Sequence, residues 1–462
     1  MTKRLIMILA LAFVVGIAFS AYAEVQNVKV SGDLLMRAVS RNDFTLLKDY
    51  KYKVGGLMST LRVRIDADLT DNVSTTVRLL NERSWGSDFS STDLSEEGGN
   101  GRLIAKIFGA GPGIDVDLAY VTLKEFLYSP LTLTVGRQEL RFGNGLIIGD
   151  VDSNILAINP GVPFDLSARK AFDAMRATLS YDPLVIDLIY AKVSEHDLWW
   201  APRKGSEKND TDLYGVNIAS DLKDLGITGK GELYYFGRIN KYPVYNDDTG
   251  KKDTCNTIGM LVSAKIKDNL TGSLEYAYQF GKAISEDESY NRSAFALQAI
   301  LGYNFQTNYA PNLSLGYTYL SGDKDTSDNK CRLWDPMFED QTPNNIVNAI
   351  FPNTGVQAFN IMGSLKPKED LTLAANFGYY LLAQKIEGDF IPSVYGDFGI
   401  DSSHTAMGTA LDLTATYDYT EDVQLGLTFG MFSPGKALKD SNNLDVYDRT
   451  ATQLIGSMKV TF

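Results

Sequence analysis

The feature that most constrains the fold is a two-residue alternation of apolar and polar side chains that recurs along most of the chain. In TLRVRIDADLT, residues 60–70, apolar side chains occupy every second position, and Arg62, Arg64, Asp66 and Asp68 occupy the positions between them. Successive side chains of a β-strand point to opposite faces, so this period predicts a strand with one apolar and one charged face. Four formal charges in a row require an unusual aqueous environment beside that strand.

Segments with this alternation occur in pairs separated by short turns, which predicts a series of β-hairpins. The clearest pairs span residues 60–79, 175–190, 260–280, 295–319, 359–379 and 411–431. Together with weaker segments they amount to about eighteen strands of about ten residues each.

The connections between the predicted strands alternate between short turns and long polar loops. Short turns lie near residues 70–72, 182–183, 267–269 and 420–422, and long loops lie near 84–113, 143–170, 322–354 and 384–403. Outer-membrane barrels have tight periplasmic turns and long extracellular loops, and a spanning sheet must close because lipid offers its backbone no hydrogen-bond partner. The sequence therefore predicts an all-β fold, a transmembrane antiparallel up-and-down β-barrel of about eighteen strands.

Aromatic residues and the C-terminus agree with this fold. Tyr181, Tyr190, Phe280 and Tyr319 lie at strand ends, where the aromatic girdles of a membrane barrel belong. The last strand alternates apolar residues and ends in Phe462, as the assembly signal of such barrels does. A secreted β-sandwich or propeller is the soluble alternative, but neither predicts alternating short and long connections.

The N-terminus has the pattern of a secretory signal peptide. Lys3 and Arg4 precede the apolar run Leu5–Phe19, and a small-x-small site, Ala21-Tyr22-Ala23, follows it. We therefore expect a signal peptide at residues 1–23 and the barrel at 24–462, in the outer membrane of a Gram-negative-type bacterium. The alternative is an uncleaved anchor, for which the apolar run is barely long enough.

Charge and histidine content limit the classes of function. The 462-residue chain has a net charge of −13, and loss of Lys3 and Arg4 with the signal peptide changes it to −15, so nucleic acid is an unsuitable partner. The chain has two histidines, His196 and His404. His196, beside Ser194, Glu195 and Asp197, leaves an outer-membrane hydrolase as a minor alternative, and an adhesin without ion conductance is another.

Arginine is concentrated in the first part of the chain, where it predicts a positively charged lumen wall. Eleven of the sixteen arginines after the signal peptide precede residue 180. Interspersed aspartates, Asp187 among them, would hold the guanidinium groups and prevent any one of them from trapping a ligand. The candidate lumen residues are Arg37, Arg62, Arg64, Asp66, Asp68, Arg78, Arg137, Arg141, Asp173 and Arg176. They favour a channel for anions, with a general diffusion porin as the alternative, in which arginine and aspartate merely pair.

The loop of residues 143–170 is apolar for an exposed connection and predicts a constriction. Its isoleucines, Leu156, Val162 and Phe164 need cover, either inside the lumen or under neighbouring loops. The candidate constriction residues are Gly143, Gly145, Asp150, Asp152 and Asn154.

Three segments resemble the alginate export family of outer-membrane porins. They are VGRQELRFGNGLIIGD from Val135, KAFDAMRATL from Lys170 and ALDLTATYDYTEDVQLGLTFGMFSPGKAL from Ala410. The resemblance implies an eighteen-stranded monomeric barrel in outer-membrane lipid, with an electropositive pore for an anionic polysaccharide such as alginate or its oligomers. It also implies a selectivity role for Arg137 and Arg176.

Two smaller features leave alternatives open. Cys255 and Cys331 could form a disulfide or remain free thiols, since spacing alone cannot place their Cα atoms. Asp323, Asp325 and Asp328 are spaced like a loose calcium loop but lack the glycine and distal glutamate of an EF-hand, which favours a solvated acidic loop. No cofactor or metal is assigned.

Overall fold

The computed structural model describes residues 27–85, 114–151, 164–193, 211–241, 251–285, 288–325, 328–385, 404–439 and 447–462. The expected signal peptide, Asp152, Asn154 and His196 lie outside these ranges. The strands are β1 (Asn27–Asn42), β2 (Lys53–Thr70), β3 (Val73–Trp85), β4 (Asp115–Leu123), β5 (Leu131–Glu139), β6 (Ala171–Tyr181), β7 (Leu184–Val193), β8 (Thr211–Asp221), β9 (Gly229–Asn240), β10 (Asp253–Lys267), β11 (Leu270–Ser285), β12 (Glu288–Asn304), β13 (Asn312–Leu320), β14 (Lys330–Cys331), β15 (Val356–Lys368), β16 (Leu371–Leu382), β17 (Ala406–Asp418), β18 (Val423–Pro434) and β19 (Ala451–Thr461).

Eighteen of these strands form one closed antiparallel barrel, which confirms the predicted fold. Each pairs with its neighbours in chain order, and β1 closes the sheet by pairing with β19 from Asp33↔Thr461 to Asn42↔Thr452. The C-terminal Phe462 extends the closure, because its backbone exchanges hydrogen bonds of 2.8 and 3.0 Å with Gly32. The remaining strand, the two-residue β14, pairs in parallel with β12 and lies in the connection between β13 and β15.

The short connections lie at one end of the barrel and the long ones at the other, the predicted periplasmic and extracellular ends. The described residues include two short helices, α1 (Asn345–Asn348) and α2 (Lys436–Lys439), and 3-10 turns at Phe164–Leu166 and Lys223–Leu225. Within the described ranges, no helix has both the length and the apolar character needed to cross a membrane.

The alternation along β2 separates its lipid face from its lumen face. Leu57, Leu61 and Ile65 are exposed on the outside at 50%, 37% and 38%, whereas Arg62 and Arg64 point inward. An arginine turned to the lipid at the bilayer midplane would cost roughly 2–4 kcal/mol, and a shift by one residue would expose the whole charged set. The same parity runs through the neighbouring strands, so one face of the sheet is an apolar band and the other lines the lumen.

The apolar core lies inside the barrel, toward its extracellular end. It contains lumen-facing strand residues, Phe44 and Leu46 after β1, and Ala437, Leu438 and Tyr447 after β18. Most of its other residues come from two connections that fold inward between the walls: residues 140–151 after β5 and residues 332–354 after β13. Phe172 from β6 meets Phe338 of the second connection edge to face, with ring centroids 5.6 Å apart. Trp334 and Met337 are also almost fully buried. These two connections, here called the first and second inward loops, occupy part of the lumen cross-section.

Candidate solute path

A row of arginines lies on the lumen face of the first strands. Arg62 and Arg64 from β2, Arg78 from β3 and Arg176 from β6 all share the inward parity of their strands. Arg64 and Arg78 are direct register partners, so two guanidinium groups lie side by side across one strand pair. We call the lumen face of β1–β6 the basic wall. Asp68 has the same inward parity and lies exposed near the periplasmic end of β2.

A carboxylate accepts hydrogen bonds from each of the four arginines Arg62, Arg64, Arg78 and Arg176. Arg62 binds Asp33 through two bonds of 2.9 and 3.0 Å, and Arg64 binds Asp66 through two bonds of 2.8 and 2.9 Å. Such bidentate pairs fix the orientation of the guanidinium plane. Arg78 reaches both Asp117 and Glu139, and the Nε of Arg176 donates to Asp187 at 2.7 Å.

Two of these carboxylates, Asp66 and Asp187, also accept a hydrogen bond from a threonine hydroxyl group. The Oγ1 of Thr76 donates to Asp66, and the Oγ1 of Thr178 donates to Asp187, both at 2.6 Å. The carboxylates are thereby oriented by two partners each, and the guanidinium groups keep further N–H donors for other ligands.

Most pairs of the basic wall present the cation to the lumen more than the anion. The exposed side-chain fractions are 27% for Arg62 against 13% for Asp33, and 34% for Arg176 against 4% for Asp187. Arg64 and Asp66 are nearly equal at 39% and 35%. Glu139 shows the opposite order, since its side chain is 51% exposed and that of Arg78 is 10% exposed. Arg62 and Arg176 are thus more accessible than their partners, and the exposed carboxylates Asp66, Asp68 and Glu139 are interspersed among the arginines.

A cavity of about 290 Å³ lies between Arg64 and Arg176 on this wall. Its other lining residues are mostly hydroxyl and amide side chains: Leu118, Tyr120, Thr122, Thr134, Gln138, Glu139 and Thr178. The two arginines, with hydroxyl and amide donors around them, can hold a carboxylate or phosphate group beside the carboxylate of Glu139.

Further cations lie near the extracellular end of the basic wall. Nη1 of Arg37 donates to the carbonyl of Leu166 at 2.7 Å, so Arg37 holds the segment that returns to β6. Arg141, half exposed, contacts Asp340 of the second inward loop, as does Lys170. Arg169 contacts Asp115.

The first inward loop crosses the lumen and binds the opposite wall. The backbone N–H groups of Gly143 and Asn144 donate to Glu232 of β9 and Glu275 of β11, both at 3.2 Å. The Asn144 side chain donates to Ser273 and Gln298, also at 3.2 Å. Gly145 follows in the same turn, and Asp150 lies 4.0 Å from the Nζ of Lys170. The described part of the predicted constriction segment is therefore inside the barrel.

Sequence reasoning missed the second inward loop. It runs beside the first: Phe338 N–H donates to Ile147 C=O at 3.0 Å, and Gly149 N–H donates to Phe338 C=O at 2.7 Å. At its far end, Asn344 binds Asp412 of β17 and Asn360 of β15. Its signal was the same as that of the first loop, an apolar composition with Trp334, Phe338, Ile346, Val347, Ile350 and Phe351.

A cluster of four charges anchors the second inward loop. Arg238 of β9 binds Asp335 at 2.6 Å and Asp253 at 3.0 Å, and Arg292 of β12 binds the same two carboxylates at 3.2 and 3.0 Å. Burial by itself would raise the pKa of Asp335, but the charges of Arg238 and Arg292 outweigh it and lower this pKa to about 2.

Glu339 of the same loop has a pKa that is shifted in the opposite direction, upward. Burial raises the pKa of its carboxyl group to about 8; a hydrogen bond from Asn353 opposes the shift, and Asp340 and Asp150 add to it. The Asn353 amide donates to Glu339 at 2.7 Å.

Two candidate lumen residues lie on the outer face, so their prediction was wrong. Arg137 and Asp173 are register partners, and their face is that of Val135 and Met175, exposed on the outside at 39% and 50%. In the VGRQ segment it is Gln138 that points inward, donating to the carbonyl of Ala174 at 3.0 Å. Arg137 instead binds Asp173 at 3.3 Å outside the lumen.

The structure decides the cysteine question in favour of free thiols. Cys255 aligns with Gly281, Gly281 with Arg292 and Arg292 with Cys331, so three strand spacings, about 14 Å, separate the two cysteines. A disulfide requires Cα atoms within about 7 Å.

The aspartates of the loose calcium pattern are bound to a cation of the protein itself. Arg332 contacts Asp323 and Asp328, and the carboxylate of Asp323 also accepts the backbone N–H groups of Asp325 and Arg332. In the described ranges no three His, Cys, Asp or Glu side chains converge as metal ligands would.

Comparison with solved structures gives outer-membrane proteins of similar fold. OccAB2 from Acinetobacter baumannii is 13% identical with a TM-score of 0.55 over 96% of this chain and 99% of that one. OprD from Pseudomonas aeruginosa is 10% identical with a TM-score of 0.54 over 96% of each chain. OpdK from the same organism is 12% identical with a TM-score of 0.53 over 94% and 99%.

Sequence comparison places the chain in a family. A search of curated protein sequences gave no significant match. The family model described as alginate export matches residues 26–452, nearly the whole chain. The protein is thus an outer-membrane barrel channel of the porin kind, and it belongs to the alginate export family.

Proposed function

We propose that the channel passes anionic solutes along the basic wall, and that segments of an anionic polysaccharide such as alginate, or its oligomers, are among them. The observation that carries the proposal is the unequal exposure within the ion pairs. Arg62 and Arg176 are accessible while Asp33 and Asp187 are withdrawn behind them. A passing carboxylate would therefore meet guanidinium donors before it met their counter-ions.

The positions of the two inward loops support a solute path along the basic wall. The first loop binds Glu232, Glu275 and Gln298 on β9–β12, and the second binds β15 and β17. These contacts hold both loops against β9–β17. Phe338 and Phe142 also reach β6, at Phe172 and Arg176, but a cavity remains on the basic wall between Arg64 and Arg176. One closed sheet encloses this path, so we infer that a single barrel forms a complete channel.

The carboxylate partners of the arginines favour weak, reversible binding of a solute, as transport requires. Conduction requires binding that is favourable enough to attract a solute and weak enough, over several sites, to release it. Asp66 and Asp187 offset part of the charge of each arginine, and Glu139 interrupts the row. A uronate chain would thus exchange one carboxylate contact for the next. The structure of OpdK, similar in fold, was determined with vanillate, which is itself a carboxylate.

The test is a reversal potential across a planar bilayer under a potassium chloride gradient. We expect a modest anion preference in the wild type, and its reduction or reversal in the double variant R64S/R176S. Arg137→Ser removes one positive charge from the outer face, outside the lumen, and should leave selectivity unchanged. Cation preference in the wild type would reject the proposal and favour a general diffusion porin whose arginines only pair the inward aspartates.

The polysaccharide part of the proposal has its own readout. Oligouronates added to one side should interrupt the single-channel current, and neutral oligosaccharides of equal length should not. If R64S/R176S is blocked by oligouronates as strongly as the wild type is, the basic wall is not their path.

A further inference from the structure

The outer face of the barrel carries charged side chains just beyond its extracellular aromatic residues. The register aligns Arg137 of β5, Asp173 of β6, Lys192 of β7 and Asp212 of β8 on the outward side. Lys241, after β9, and Lys282 of β11 have the same outward parity. We call these six residues the outer belt.

The position of the outer belt places it at the headgroup level of the outer leaflet. Tyr190 and Phe280, exposed on the outside at 45% and 41%, lie one outward position nearer the membrane centre than Lys192 and Lys282. Aromatic girdles mark the interface between hydrocarbon and headgroups. Charged side chains at the next outward position toward the long loops therefore meet the headgroups of the outer leaflet.

The outer belt contains four cations and two carboxylates, of which Asp173 is 48% exposed beside Arg137 at 30%. Lys192 and Lys241 share one carboxylate, Asp212, at 2.5 and 2.9 Å, and Asp212 also accepts the hydroxyl of Tyr190 at 2.9 Å. The lysine side chains are 45% and 31% exposed, whereas that of Asp212 is 13% exposed. Lys282 donates to a neutral partner, Asn291, at 2.7 Å.

The outer face of β15–β19, at the extracellular ends of these strands, differs from the outer belt in charge. The outward positions at the extracellular ends of β15–β19 are uncharged: Gln357, Leu381, Thr409, Ser433 and Thr452. The cations of the outer belt thus have no counterpart at these five strand ends, and in a chain of net charge −13 they are not expected from composition. They are suited to a local anionic partner.

We propose that the outer belt binds the phosphate groups of the phosphorylated glycolipid that forms the outer leaflet of this kind of membrane. Ammonium groups hold phosphate as compact point charges, and Lys192 and Lys241 are each more exposed than the carboxylate that they share. The glycolipid acyl chains would lie along the apolar band below the belt. This interaction is separate from the lumen path and does not depend on what the channel transports.

The experiment compares two glycolipid probes on the full-length protein in detergent micelles, with bound lipids counted by native mass spectrometry. The probes are bisphosphorylated lipid A and its dephosphorylated counterpart, which has the same acyl chains. The wild type should bind the bisphosphorylated probe about tenfold more tightly. Equal binding of the two probes would overturn the proposal, and this comparison needs no variant.

Two matched triple variants locate the site. K192Q/K241Q/K282Q should lose the preference for the phosphorylated probe. K223Q/K267Q/K368Q removes the same charge from exposed lysines at the periplasmic end and should retain it. If both variants behave alike, the preference arises elsewhere and the outer belt is not the site.

Discussion

At the residue scale, two glycines determine where the first inward loop can lie. Gly143 and Gly145 have φ angles of +57° and +78°, in the left-handed region that other residues adopt only at a cost. A Cβ atom on Gly143 would lie 2.6 Å from Oε1 of Glu275, the side chain that holds the next residue of the loop. Both the backbone conformation and the close approach to the opposite wall therefore require glycine.

The first prediction follows from Gly143. Gly143→Ala should destabilise the protein by about 1–2 kcal/mol, because alanine is strained at positive φ and displaces the Glu275 carboxylate. Gly456→Ala is the control, since a Cβ there meets nothing within 4 Å. Thermal unfolding followed by the heat-dependent gel shift of barrels would measure both. Equal midpoints for the two variants would contradict a constrained Gly143.

The residues of β2 were predictable from the sequence, but Arg137 was not placed correctly. Alternation alone identifies the inward face at Arg62 and Arg64, because apolar residues on both sides define the lipid face. The same counting from Val135 would have turned Arg137 outward. Its assignment to the lumen instead followed the resemblance of a motif, and a motif does not reveal which face its residues occupy.

At the element scale, the second inward loop is fixed to the wall by charges rather than by sequence-local structure. Asp335 neutralises two buried arginines on β9 and β12. Removing one member of a buried ion cluster leaves the others uncompensated, which costs far more than the loss of an exposed pair.

The second prediction is that Asp335→Asn loosens this loop. Arg238 and Arg292 would then share Asp253 alone, and we expect a loss of about 3–5 kcal/mol with larger and noisier single-channel conductance. Asp328→Asn, just before this loop, is the control, because its partly exposed pair with Arg332 should contribute little. Unchanged conductance in D335N would mean that the loop does not restrict the current.

The third prediction concerns pH. The pKa of Glu339 is raised in the fold to about 8 from its usual 4.5, so the fold favours the neutral acid. Its contribution to stability is complete below the unfolded pKa and is lost as pH rises through 8. Current fluctuations from the second inward loop should increase between pH 7 and 9, and Glu339→Gln should remove this dependence. Fluctuations that grow on acidification instead would contradict the assignment.

The sequence predicted the strands of the barrel but only one of its two inward loops. Strand period, turn length and loop length are local properties, and they are sufficient for a closed sheet of alternating connections. The contacts of Asp335 with Arg238 and Arg292 join positions far apart in the chain, so no local sequence pattern predicts them. The apolar residues near Trp334 and Phe338 were the available signal, and in a long loop they call for the same cover as those after Gly143.

At the scale of the whole molecule, the net charge is opposite in sign to the charge that we propose for the solute path. The chain has a net charge of −13, whereas Arg62 and Arg176 are the more accessible members of their ion pairs. Fields from distant charges extend about 30 Å at 0.01 M salt but only about 8 Å at 0.15 M. Charges that line the path lie closer to a permeating ion than either of these two screening lengths.

The fourth prediction is therefore a non-monotonic dependence of selectivity on salt. At 0.01 M the acidic protein as a whole should repel anions at the channel mouths and mask the basic wall. Near 0.15 M this long-range field is screened and anion preference should appear, and at 1 M, where screening acts within about 3 Å, it should fade. The measurement is the reversal potential under a salt gradient of fixed ratio, repeated with the mean salt concentration set to each of these three values. In R64S/R176S the intermediate maximum should vanish, leaving a cation preference that declines steadily with salt. An anion preference that is largest at the lowest concentration would instead show that the net charge has no effect at the channel mouths.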